Sequence, residues 1–129
     1  MTYDYVIGMD VGKYFHHACV LDIDGTQVLS KRINQNEKSL RALFSTFSAH
    51  DHKVLVVVDQ PNNIGRLTVA VAQDLGIDVR YLPGLAMRQL SRIHAGNAKT
   101  DIRDAYIIAH AAKNLSLIHI SEPTRLRRI

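Results

Sequence analysis

Apolar residues alternate with small or polar ones through Tyr5-Val6-Ile7-Gly8-Met9-Asp10-Val11, the period-two pattern of a strand, and Gly12-Lys13 ends it. Residues 17–22 predict a second strand. Asp22-Ile23-Asp24-Gly25 is a hairpin signal, and residues 27–33 are then a third strand, antiparallel to the second. The period changes after Asn36, a good helix N-cap. Leu40, Leu43, Phe44 and Phe47 share one helical stripe, predicting a helix to about Ser48. Residues 53–59 are β-branched through their middle, as in a strand buried on both faces. Pro61 and Asn63 punctuate. A helix over about 64–75 follows, with Leu67, Val71 and Leu75 inward and Gly76 at the C′ position. Residues 78–82 predict a fifth strand, stopped by Pro83-Gly84. Two helical stretches, about 85–93 and 100–113, flank the Gly96-Asn97 break.

Three strands followed by alternating helices and strands place the chain in the α/β class, as a mixed sheet covered by helices. The same order is that of the ribonuclease-H-like fold, with the first strand beside the fourth. Neither an internal repeat nor a low-complexity segment interrupts it.

At 129 residues the chain holds one domain, and 47% hydrophobic with 22% charged residues is globular composition. The longest apolar run, Val54 to Val58, is far short of a membrane span, and the first residues lack the order of a signal peptide. A single cysteine, Cys19, excludes an internal disulfide and fits a reducing compartment, so a cytoplasmic protein with no membrane partner is expected. Sixteen basic against 12 acidic residues suggest a polyanionic partner. Three of those basic residues (Arg125, Arg127, Arg128) and one acid (Glu122) lie in the last fifteen positions, leaving 13 against 11 before them.

That tail has a separate reading. Leu115-Ser-Leu-Ile-His-Ile-Ser-Glu-Pro-Thr-Arg125 resembles the translation of a transposase-type sequencing-library adapter over eleven consecutive residues. The resemblance implies a reading frame that leaves its gene near Asn114. Residues 1–114 are then the domain, part of a longer protein, and residues 115–129 a non-native tail; a native linker or strand using Leu117, Ile118 and Ile120 is the alternative.

The acids carry the chemistry. Asp10 closes the first strand and Asp59 the fourth, so parallel neighbours about 4.8 Å apart would project both from one sheet edge. Asp101 and Asp104, at i and i+3 of the last helix, share one face. Four gathered carboxylates repel unless a cation offsets them, and hard oxygen donors select Mg²⁺ (or Mn²⁺) over zinc. Two such ions can stabilise the attacking and leaving oxygens of phosphodiester displacement. Each acid also has a bland role. Asp101 behind the N-cap Thr100 serves the helix dipole, Asp104 can pair with Arg103 or Arg88, and Asp59 can be a turn residue before Gln60-Pro61. Asp10, directly after a buried apolar run, is hardest to dismiss. Arg88, Arg92, Lys99 and Arg103 are candidate phosphate contacts or simply a solvated helix face. His16-His17 belongs at a strand start, Cys19 in the core, and with no Trp and eight other aromatics no base-stacking platform is evident.

Three motifs, Gly8-Met9-Asp10-Val11-Gly12-Lys13, Val56-Val57-Val58-Asp59-Gln60-Pro61 and Ala98-Lys99-Thr100-Asp101-Ile102-Arg103-Asp104-Ala105, resemble in order the N-terminal domain of the DEDD-type transposases of insertion-sequence family one-hundred-and-ten and the related pilin-gene invertases. The resemblance covers residues 4–114. It implies a RuvC-like, ribonuclease-H-type nuclease domain whose acidic tetrad would be Asp10, Asp59, Asp101 and Asp104. The second acid of the family is usually Glu, so Asp59 reaches about one bond less far. Also implied are a C-terminal domain bearing a nucleophilic serine, DNA as substrate and a structured guide RNA; a homo-oligomer is expected of the full-length protein. A strand ending Gly-x-Asp-x-Gly also opens the actin-like sugar-kinase and ATPase fold, and a non-catalytic binding module with structural acids is the remaining alternative.

Overall fold

The computed structural model describes residues 3–82, 105–110 and 118–119, of the last two the backbone alone. Three strands open the chain: β1 (Tyr5–Asp10), β2 (Phe15–Asp22) and β3 (Gln27–Asn34). They form an antiparallel meander, with Ile7 opposite Val20 and Val20 opposite Leu29. The β2–β3 hairpin closes where expected: Gly25 takes a φ of 85°, and Asp22 Oδ1 accepts from the Asp24 and Thr26 amides at 3.0 and 2.9 Å.

The first helix, α1 (Glu37–Ser48), begins at Asn36, whose side chain accepts from the Ser39 amide at 2.8 Å, and buries Leu40, Leu43 and Phe44. Strand β4 (Val54–Val58) is buried at every position, because the sheet is covered on both sides there. The helix after it starts later than its periodicity predicts. Residues Asn63–Gly65 form a 3-10 turn, and α2 (Arg66–Asp74) follows. Its inward face is Thr68, Val69, Val71 and Ala72, with Leu67 and Leu75 packed at the margin. Gly76 ends it at φ 74°, in the left-handed conformation predicted for a C′ residue.

β4 lies parallel to β1 (Met9 opposite Val58) and to β5 (Asp78–Tyr81), so the first strand does sit beside the fourth. A short α3 covers residues 105–110, and β6 (Ile118–His119) pairs antiparallel with β5. Among the described residues the sheet order is β3-β2-β1-β4-β5-β6. The two residues of β6 fall within the segment that resembles an adapter. The predicted helix over 85–93 lies outside the described residues.

Alternation assigns the two faces. Ile7, Met9, Ala18, Val20, Val54, Val56 and Val58 pack with Leu40, Phe44, Val69 and Ala72, so α1 and α2 cover one face. Val6, Leu55, Val57, Cys19 and Leu21 meet Ala105, Ile107, Ile108 and Ala109 of α3 on the other. Gly8 explains how closely α3 docks: a Cβ there would lie 2.5 Å from the Ala105 carbonyl oxygen and 2.8 Å from the Ala109 Cα. Only a residue without a side chain lets the helix backbone rest on β1.

Candidate active site at the carboxyl edge of the sheet

Asp10 is the last residue of β1, and Asp59 directly follows β4. Since Met9 and Val58 are register partners on parallel strands, the two acids occupy the next positions at the same sheet edge. The alternation that turns Val6 and Gly8 toward α3 carries Asp10 to that face as well. Asp59 reaches across the strand gap, its Oδ1 accepting from the Val11 amide at 3.1 Å. Both acids are half-buried. In the same cross-strand row, Asp10 is opposite His17, and His17 opposite Arg32. His17 Nε2 is 2.9 Å from Ser30 Oγ.

Asp101, Asp104, Lys99, Arg103, Arg88 and Arg92 lie outside the described residues. Among the described residues no set of three or more His, Cys, Asp or Glu side chains gathers to hold a metal. The two acids that can be placed fit a hard divalent cation by donor type, by strand adjacency and by edge.

Sequence reasoning passed over the turn beside these acids. Gly12 is pressed against the Phe15 carbonyl, too close for a Cβ, and its amide donates to His16 Nδ1 at 3.2 Å. The Gln35 amide N–H donates to the Tyr14 carbonyl at 3.1 Å, and its side-chain nitrogen, turned to donate, reaches the Gly12 and Lys13 carbonyls at 2.7 and 2.6 Å. His16 is 1% exposed, and burial pushes its pKa below the ordinary histidine value. The ring is therefore neutral. Nδ1 accepts from Gly12, which leaves the proton on Nε2 facing Thr68 Oγ1 at 3.4 Å. The Gly12 spacing hints at a tight turn, but nothing in the sequence says that His16 points inward and Tyr14 outward.

Cys19 is a core residue, as expected. It is buried, its thiol is pushed up to about 11 by desolvation, and a thiol at that pKa is no nucleophile at neutral pH.

A mixed sheet with parallel β1 and β4 at its centre, helices on both faces and acids at the carboxyl edge defines the RuvC-like ribonuclease-H class. The Thermus thermophilus RuvC structure superposes with a TM-score of 0.65 over 90% of this chain and 99% of that one, at 13% identity. T. thermophilus RuvC in complex with Holliday junction substrate gives a TM-score of 0.62 over the same shares, at 12% identity. The chain belongs to the DEDD transposase family of IS110-type elements, whose sequence model, described as a transposase, matches residues 7–126. The insertion element IS110 uncharacterized 43.6 kDa protein of Streptomyces coelicolor is 47% identical over 110 residues, 85% of this chain and 27% of that protein. The insertion element IS116 uncharacterized 44.8 kDa protein of Streptomyces clavuligerus is 31% identical over 107 residues, 83% of this chain and 27% of that protein. The chain thus spans about a quarter of the length of these curated relatives. These matches do not favour the actin-like kinase alternative. No helix among the described residues is long and apolar enough to cross a membrane.

Proposed function

We propose that this chain is the N-terminal, metal-binding catalytic domain of a DNA transposase or site-specific recombinase. Asp10 and Asp59 are its core ligands for Mg²⁺ or Mn²⁺, with Asp101 and Asp104 completing the acidic set. The observation that carries this reading is the placement of two carboxylates at adjacent ends of parallel β1 and β4, beside the face that α3 covers. Chain connectivity supports the second pair, since Asp104 immediately precedes Ala105, whose carbonyl oxygen approaches Gly8 two residues before Asp10. Like charges brought to one edge favour occupation by a divalent cation, and that cation, when bound, offsets the charge that develops on a displaced phosphodiester. The protein's own share is positional. The Val11 amide orients Asp59, and the strand register sets the separation of the two acids. RuvC was solved on a Holliday junction, which supports DNA as the substrate here. Lys99, Arg103, Arg88 and Arg92 remain the proposed phosphate contacts of the last third of the chain. A guide RNA and a homo-oligomeric full-length protein belong to the same proposal, on the family resemblance alone.

Calorimetric titration of the 129-residue chain with MnCl₂ tests the metal site. Uptake that weakens at least about tenfold in Asp10→Asn is expected. No uptake at millimolar metal, or uptake indifferent to Asp10→Asn, would overturn the reading in favour of a binding module with structural acids. The domain is proposed to end near Asn114, on the strength of the adapter resemblance. The genomic locus decides that point, since a native gene continuing with the codons of residues 115–125 would refute it.

A further inference from the structure

The exposed large hydrophobics among the described residues are Tyr14, Phe15, Ile23 and Val28. Two of them are adjacent aromatics on the turn that follows Asp10, with Tyr14 69% and Phe15 45% exposed. Each ring carries a cation: Lys13 Nζ lies 5.4 Å from the Tyr14 centroid and the Arg32 guanidinium carbon 4.4 Å from that of Phe15. Neither cation has an ion-pair partner among the described residues. Phe15 shares the strand alternation of His17, Cys19 and Leu21, which places it on the face that holds Asp10. The turn is hydrogen-bonded from beneath by His16 and Gln35. Two exposed aromatic rings with cations against them stand side by side on a braced backbone beside an acidic edge. They combine the base-stacking surface and phosphate-neutralising charge of a single-strand binding groove.

We infer that Lys13, Tyr14, Phe15 and Arg32 form a stacking platform for unpaired bases of the DNA strand that enters the acidic edge. The inference rests on the proposed function for the identity of the strand, since whatever lies across Asp10 and Asp59 passes this turn. Bases inside a duplex cannot reach the rings, because both their faces are already stacked on neighbours, and a blunt duplex opens only its two end faces. The cations bind the flanking phosphates, so single-stranded DNA is favoured over blunt duplex.

Fluorescence anisotropy with a labelled fifteen-nucleotide oligo-dT, in EDTA, tests the platform without involving the metal site. Tyr14→Ala and Phe15→Ala are each expected to weaken binding about 5- to 100-fold, Tyr14→Phe to stay within about twofold, and binding to a blunt duplex to change little. Lys13→Ala is expected to lower the salt slope by about 0.7. Unchanged oligo-dT affinity in both alanine variants overturns the inference, as does absence of oligo-dT binding by the parent chain. An equal loss on duplex reduces the patch to a phosphate contact and also overturns it. Loss confined to oligo-rU assigns the patch to RNA, and a change in sedimentation without loss of oligo-dT assigns it to self-association; either result overturns the DNA platform. Metal uptake by calorimetry is read separately, so the platform can fail while Asp10 still binds Mn²⁺, and the reverse.

Discussion

The two ends of the central sheet carry similar acids in different settings. At the amino end, Asp4 Oδ2 accepts from the Lys53 amide at 2.7 Å while the Asp4 amide donates to the Lys53 carbonyl at 2.8 Å. Asp78 Oδ2 accepts from the Tyr3 hydroxyl at 2.8 Å, and burial together with that carboxylate raises the Tyr3 pKa. These acids are latches that tie the starts of β4 and β5 to the chain's beginning. At the carboxyl end, Asp59 also accepts a backbone N–H, but from Val11, past the end of the neighbouring strand. There it shares an edge with Asp10. All four acids are half-buried, so exposure does not tell a latch from a proposed metal ligand.

A hollow by itself does not mark a site either. A cleft of about 540 Å³ opens at the amino end, among Tyr3, Asp51, His52, Lys53 and Asp78. Its acid Asp78 is already engaged by Tyr3. The carboxyl ends of parallel β1 and β4 lie side by side at the other edge, which is where open α/β sheets place reacting groups. Direction of the strands, rather than size of the hollow, separates the two ends.

The largest expected disruption of this contrast is Gly8→Val. The new side chain meets the backbone of α3, which cannot rotate away as a side chain would. A loss of about 3 kcal/mol or more is expected in chemical denaturation, together with metal uptake. A variant as stable as the parent would show that α3 does not need its close seat on β1.

Exchanging one oxygen at each end sharpens the comparison. Asp59→Asn and Asp4→Asn both retain an oxygen for the backbone N–H they accept. Asp59→Asn is expected to weaken Mn²⁺ binding at least about tenfold, and Asp4→Asn to leave it unchanged. Equal effects in calorimetry would erase the distinction between ligand and latch.

The brace under the carboxyl-edge turn has a pH signature. Burial lowers the folded pKa of His16 below its ordinary value of 6.5, so the unfolded chain takes up this proton first as pH falls. Its contribution is therefore whole above about pH 6.5 and is lost as the pH drops through the lower folded value. Thermal melts at pH 7.5 and 5.5 are expected to show a smaller pH-dependent loss in His16→Gln than in the parent. The smallest effect belongs to Arg41, which bridges Glu37 of α1 and Asp74 of α2 at 2.7 Å each on the exposed surface. Arg41→Ala is expected to shift the melting temperature least of all these variants, and less still at high salt.

Much of the fold was legible because it rests on local rules. The Asn36 cap, the Leu40-Leu43-Phe44 stripe, the left-handed Gly25 and Gly76 and the five buried residues of β4 each follow from a few neighbouring residues. The start of α2 was not legible, because Asn63–Gly65 winds as a 3-10 turn within an unbroken apolar period. Nor was the aromatic pair. A count of eight Tyr and Phe residues with no Trp does not say that two of the rings stand exposed side by side on one braced turn. The inward His16 and outward Tyr14 and Phe15 are set by a strand that begins in the middle of a run with no clear alternation.

Periodicity and capping, which act over one or two turns of chain, were enough to indicate the elements from β1 to β5, their order and the mixed α/β class. They also placed an acid at the end of each central strand. What the chain could not express locally was convergence. Asp10 and Asp59 are 49 residues apart in sequence and become edge partners only because β4 inserts parallel to β1, and Gly8 matters only because α3 lands on it. Such contacts depend on strand pairing and helix docking across the whole core, whose free energy is shared among many residues and written in no single segment.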